Sequence, residues 1–197
     1  MDKLELKFKG DRGYLHGTDF FENISEKLAP NLGDGSIKKL AFKSFSTNQC
    51  FLAYGDRPEP GAKIIGSGIW LDRSGNKDIK FWIVEGDTPV TERYSFDEER
   101  LVTPAFVEGN RIFIESNNEF NVIENVVALT KKLNYQLTPE VDGKWVFGQI
   151  DLVVPLPDEF DGIEIERTSE RQGKFSCNGV TIDTKYIGEI RFIVGRP

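Results

Sequence analysis

One histidine, two cysteines and one methionine stand in a chain of 197 residues. That scarcity removes several chemistries at the outset. A structural zinc takes four ligands, chiefly Cys and His. His16, Cys50 and Cys177 cannot supply them, so no metal is expected, and no motif calls for a cofactor. Two cysteines outside any CxxC pair fit a reducing compartment and no disulfide framework. Both are expected as buried free thiols, and the chain as cytoplasmic. No apolar run approaches the roughly 20 residues of a membrane helix. The stretch Met1 to Lys9 alternates charged and apolar residues and lacks the h-region of a signal peptide. There is no GxSxG elbow, Walker loop or HExxH. Gly66-Ser67-Gly68 runs into strand-like Ile69-Trp70-Leu71, with Leu71 where a dinucleotide fingerprint needs glycine.

What is present is acidic and aromatic. Net charge is -7 and the sequence pI about 4.9, which argues against a broad nucleic-acid or anionic-membrane surface. With 39% hydrophobic residues, 15 Phe and 3 Trp, the chain has the means for a packed core. Phe42, Phe45, Phe51, Trp70, Phe81 and Trp82 concentrate in the first half. They read as core, or as an apolar lining for an acyl chain.

Hydropathy orders the chain into two similar halves. Leu4, Leu6 and Phe8 alternate with Glu5, Lys7 and Lys9, a half-buried strand with the charged residues outward. Gly10 to Gly13 reads as a turn and Tyr14-Leu15-His16 as a return strand. Thr18 and Asp19 offer capping oxygens to a helix carrying Phe20, Phe21, Ile24 and Leu28, which Pro30, Gly33 and Gly35 end. Strands follow over Ile37 to Thr47, Cys50 to Tyr54, Ala62 to Leu71 and Ile79 to Val84, with one turn at Asp72 to Asn76. Gly86 to Arg100 reads as a connection. Leu101 to Val107 and Arg111 to Ile114 then form a hairpin about Glu108-Gly109-Asn110. Ser116 with Glu119 has the spacing of a capping box. Phe120, Ile123, Val126, Val127 and Leu133 mark a second helix, and strands follow over Trp145 to Val154, Ile163 to Arg167, Lys174 to Ile182 and Ile187 to Val194.

The residues also repeat. KIIGSGIWLD over 63–72 and KFSCNGVTID over 174–183 share Lys, Gly and Asp, which pairs Gly68 with Gly179 and predicts a bulge or bend at each. The helix caps near His16 and Ser116 correspond as well. The economical reading is a duplication, with units at residues 1–97 and 98–197.

Hairpin, helix and a run of antiparallel strands, given twice, resembles the hotdog fold, in which a curved antiparallel sheet wraps one helix. Paired in one chain it is a double hotdog, an α+β architecture. The runner-up is one large antiparallel sheet or barrel carrying two helices. The resemblance rests on element order, with no family motif string, and would span nearly the whole chain. It implies acyl-thioester chemistry of dehydratase or thioesterase type, on acyl-CoA or an acyl carrier protein. In hotdog dehydratases a catalytic His lies just ahead of the central helix and an acidic residue comes from the partner's helix. By position these fall on His16, as base, and Glu124, about two turns into the second helix, with Glu119 nearer its start. Gly17-Thr18-Asp19 departs from the family's pattern, which has Phe and Pro after the His. Hotdog thioesterases carry a carboxylate at the start of the helix, a place held here by Asp19 and Glu22. The reading from another class is a non-catalytic binding or assembly protein that keeps the fold. A homo-oligomer fits either; nucleic acid and membrane fit neither.

Overall fold

The computed structural model describes residues 1–74, 77–115 and 118–196. Ser116, and with it the cap expected there, lies outside the described residues, as do Gly75 and Asn76 of one expected turn. The chain divides into two compact units, Met1–Phe96 and Asp97–Pro197.

The first unit opens with β1 (Asp2–Lys3) and β2 (Phe8–Lys9), then α1 (Gly17–Leu32). Its other strands are β3 (Gly35–Phe42), β4 (Asn48–Tyr54), β5 (Ile64–Asp72), β6 (Lys77–Pro89) and β7 (Arg93–Tyr94). Helix α1 buries Phe20, Ile24 and Leu28, one stripe at fourfold spacing. Pro30 sits inside its last turn, where the missing N–H removes one bond, and the helix ends at Gly33 with φ +79°. The sheet runs β1-β4-β6-β5-β3, antiparallel throughout. Trp70 and Phe81 are wholly within its core.

The second unit holds α2 (Glu98–Val102), β8 (Phe106–Glu108), β9 (Arg111–Glu115) and α3 (Val122–Leu137). Then come β10 (Lys144–Leu152), β11 (Gly162–Arg171), β12 (Phe175–Ile182) and β13 (Lys185–Gly195). Its sheet is antiparallel in the order β10-β13-β12-β11-β9-β8. The β8–β9 hairpin turns at Gly109, with φ +60°. Leu101 and Val102, read as strand, belong instead to α2, because Asp97 caps a helix there by accepting from Arg100 N at 3.0 Å.

The two units share the run of two strands, a helix and four strands, but α2 opens only the second, β7 closes only the first, and sheet order differs. After its helix the first unit places its four strands first-third-fourth-second, and the second unit first-fourth-third-second. The matched decapeptides lie on β5 and β12. Of these β5 borders the first strand after the helix, whereas β12 does not, β13 standing between. The residue match therefore does not extend to position in the sheet.

Gly68 and Gly179 show the same divergence. A Cβ on Gly68 would lie 2.2 Å from the Lys39 carbonyl oxygen and 2.2 Å from the Phe81 ring, so the glycine marks a close approach of its neighbours. A Cβ on Gly179 meets nothing nearer than Tyr186 at 3.6 Å, an ordinary contact. Gly68→Ala should destabilise by about 1–3 kcal/mol through overpacking. Gly179→Ala should be neutral or stabilise by up to about 1 kcal/mol, since Ala loses less backbone freedom on folding. Urea denaturation of the two variants checks both.

Candidate functional site

Alternation along the opening stretch places Lys9 outside with Glu5 and Lys7. The structure corrects this: Leu4 and Leu6 are buried as expected, and Lys9 is buried too, at 1% exposed. The cause is a local turn. Leu6 N donates to Leu4 O, the strand breaks between Lys3 and Phe8, and the parity of inward positions shifts. Tyr14-Leu15-His16 forms no return strand; 10–16 instead loop from β2 to the start of α1.

The buried ammonium is held by polar and aromatic neighbours. Lys9 Nζ donates to Asp19 Oδ1 at 3.0 Å and to Thr18 Oγ1 at 2.9 Å. It lies 4.2 Å from the Phe96 ring centroid and 5.8 Å from that of Tyr94. An unpaired buried ion loses several kcal/mol of hydration. Here a carboxylate, a hydroxyl and two aromatic faces offset that loss. The ribbon of β2 with β7 sets the arrangement, because its parallel register places Lys9 opposite Tyr94. The Tyr94 hydroxyl lies 2.9 Å from both oxygens of Asp19.

His16 adjoins this cluster as the N-cap of α1. Its backbone is extended, with φ -87° and ψ 142°, and its carbonyl accepts from Asp19 N and Phe20 N. The preceding residue is tied down by Leu15 N donating to Ser46 O at 2.9 Å. The half-buried imidazole places Nδ1 2.8 Å from Thr18 Oγ1, and Thr18 donates to Asp19 Oδ1 at 3.1 Å. The structure thus brings His16 and Asp19 into one network through Thr18. The N–H groups of Gly17 and Thr18 lie at the helix end where no intrahelical carbonyl reaches, a setting that favours negative charge. Glu22 lies a turn into α1 and is half-buried.

Glu124 lies in the second unit, in the first turn of α3 and not two turns in, because the helix opens at Val122. Its carboxylate accepts from Asn121 N at 3.0 Å, so the capping box here is Asn121 with Glu124. Glu119 precedes the helix and pairs with Arg100 at 2.7 Å on the surface. Lys9, Thr18 and Tyr94 were not singled out as site residues by sequence. A lysine in a charged-apolar alternation carries no sign that it will be buried.

Ser46, which anchors the loop before His16, is itself buried and donates to Glu85 at 2.5 Å. Burial raises the Glu85 carboxyl, and hydrogen bonds from Lys63 and Ser46 outweigh it, leaving the pKa below its ordinary value. Cys50 and Cys177 are free and buried. Burial pushes the Cys50 thiol up to about 11, so near neutral pH it is not a thiolate nucleophile.

Removing one partner from a buried pair strands the other charge. Lys9→Met should therefore cost about 3–5 kcal/mol. The double variant Lys9→Met/Asp19→Asn should lose less than the sum of its singles, by about 0.5–3 kcal/mol. Chemical denaturation of the three variants measures that coupling, and strict additivity would refute a paired site.

No family model and no curated protein matches the chain. Solved structures do. The pyran synthase domain from module nine of the sorangicin pathway superposes with a TM-score of 0.51 at 10% identity, covering 96% of this chain and 91% of that one. The Mycobacterium avium subs paratuberculosis tesB protein superposes with a TM-score of 0.50 at 8% identity, covering 95% and 89%. No described helix is long and apolar enough to cross a membrane. Mostly antiparallel sheet with few helices, aligned over nearly its full length with these two structures, the chain has the hotdog fold.

Proposed function

We propose that the protein binds or converts an acyl thioester, carried on coenzyme A or on an acyl carrier protein, and that its units near 1–97 and 98–197 are tandem hotdog units. Fold does not determine function, so the reading rests on a site. The observation that carries it is the lone histidine at the N-terminus of α1, tied through Thr18 to the buried Lys9–Asp19 pair.

The parts suit thioester chemistry. A neutral imidazole is a general base near neutral pH. The unpaired N–H groups of a helix start stabilise a thioester carbonyl oxygen as it gains negative charge. In thioesterase-like chemistry His16 takes a proton from water, the hydroxyl adds to the carbonyl carbon, and the C–S bond breaks to release a thiol and a carboxylic acid. In dehydratase-like chemistry His16 takes the C2 proton of a 3-hydroxyacyl thioester. The C3–O bond breaks, water leaves, and a carboxylic acid protonates the departing hydroxyl. The resemblance assigns that acid to Glu124. Asp19, with donors on both oxygens, serves in this proposal as the anion that holds Lys9 and Thr18.

A second reading, non-catalytic binding of the same ligand class, is favoured by one observation: both proposed carboxylates already have structural partners. Asp19 accepts from Lys9, Thr18 and Tyr94, and Glu124 accepts from the Asn121 N–H.

The experiment is turnover of a panel of acyl-CoA and 3-hydroxyacyl-CoA thioesters. His16→Ala should lose about 10²–10⁴-fold in rate with the fold intact, and Glu124→Gln should lose activity only on the 3-hydroxyacyl substrates. If wild-type protein turns over none of them, conversion is refuted. A rise in melting temperature with acyl-CoA then supports the binding reading, and no rise removes it.

A further inference from the structure

Two phenylalanines of the second unit stand where strand alternation calls for polar residues. Ile112 and Ile114 of β9, with Ile163 and Ile165 of β11, turn inward and are buried. Alternation sends Phe113 and Glu164 to the opposite face of the sheet. There Phe113 stands opposite Glu164 on one side and opposite Phe106 on the other. Phe106 belongs to β8, the last strand at this end of the sheet, and is 50% exposed. Its ring stacks on that of Phe113, with centroids 5.1 Å apart and planes at 17°. The pair lines a groove of about 470 Å³. Glu115, Asp161, Glu164 and Asp183 line it too, and among the described residues no Lys, Arg or His does. Arg111, beside the groove, reaches Glu164 and Glu166, each at 3.4 Å. Asp183 Oδ1 accepts from the N–H groups of Asp161 and Gly162 at 2.8 and 2.9 Å, which fixes one wall. Glu115 and Asp161 are exposed. Exposed apolar surface rimmed by charge marks an interaction site.

We propose that this groove docks an arginine side chain of a partner polypeptide. Charge makes the first selection. A lining of carboxylates without a cation attracts positive charge and repels phosphate, so nucleic acid and anionic membrane do not fit. A second copy of the chain, at net charge -7, meets like-charge repulsion. The aromatic pair makes the second selection. A guanidinium is planar and weakly hydrated, so it lies on a ring while its N–H donors fork to a carboxylate. A lysine ammonium is a compact, strongly hydrated charge and gives up more on leaving water. The stacking of Phe106 on Phe113 holds the platform in place before binding, which lowers the cost of ordering it. Strand β8 is only three residues long, a poor template for adding a partner strand, so recognition falls to side chains. Docking here is independent of acyl-thioester binding, and neither requires the other.

The probe is the blocked peptide Gly-Ser-Arg-Gly-Arg-Ser-Gly, titrated at low salt into the ¹⁵N-labelled 197-residue chain. The expected result is saturable shifts of the backbone amides over 106–115, 161–164 and 181–184, weakening as salt is added. The same peptide with citrulline for arginine keeps the shape without the charge and should not bind. The lysine version should bind more weakly than the arginine one. Phe106→Ser should weaken binding about 2–5-fold, the worth of an exposed cation–π contact. Glu115→Gln/Asp161→Asn, which removes two exposed charges, should weaken it about 2–30-fold. No saturation at about 10 mM peptide overturns the proposal. Equal binding of the citrulline or lysine peptide overturns it as well, as do shifts confined to other residues or a folded Phe106→Ser variant that binds like wild type. Should Phe106→Ser fail to fold, the carboxylate variant and the citrulline peptide decide in the same way. Concentration-dependent dimerisation by light scattering that Phe106→Ser abolishes makes a second copy the occupant and overturns the arginine assignment.

Discussion

A buried ammonium must have its partners in place before the elements around it can close. Lys9 imposes that condition on the first unit. It requires β2 and β7 in parallel register, α1 opening at Gly17 so that Thr18 and Asp19 face it, and Phe96 laid against Nζ. None of these elements is strong alone. The strands are two residues each, and the N-cap residue His16 makes no side-chain cap bond to the helix. A paired charge in low dielectric couples them, since losing a partner leaves a buried ion short of a hydrogen bond or of an aromatic face. The positive dipole end of α1 favours Asp19 and opposes Lys9, which is why the carboxylate belongs to the helix and the ammonium arrives from a neighbouring strand.

The same constraint separates what was legible in the sequence from what was not. The stripe Phe20, Ile24 and Leu28 named α1, because an amphipathic helix writes its buried face into its spacing. The Gly109 hairpin was legible because a two-residue turn demands positive φ. His16 stood out as a lone imidazole before a helix. Thr18 stands two residues on from it, but Lys9 and Tyr94 join the cluster through contacts spanning as many as 75 residues of sequence, and local pattern carries no record of such contacts. The missed local features have local explanations. Asp97-Glu98-Glu99 is a helix-start signal that the apolar run after it obscured. Asn121 with Glu124 offers the same cap chemistry as Ser116 with Glu119, and α3 opens at the later pair.

Element order predicted the hotdog fold, yet sheet order was beyond it, and that difference affects how each unit can form. Draw each strand pairing as an arc over the chain. In the second unit β8 with β9, β11 with β12 and β12 with β13 close over short turns; the arc of β10 with β13 spans the last two and crosses the arc of β9 with β11. Such a sheet can grow outward from its hairpins. In the first unit the arc joining β3 to β5 crosses the arc joining β4 to β6. Only the β5–β6 hairpin is local, and each remaining strand must find its mate across a chain segment that another pairing also encloses. Closing loops before contacts compensate slows folding. The unit that carries the histidine is thus, by topology, the slower of the two to assemble. It is also the one whose buried ion pair, ten residues apart in sequence, gains Tyr94 only when β7 returns to β2.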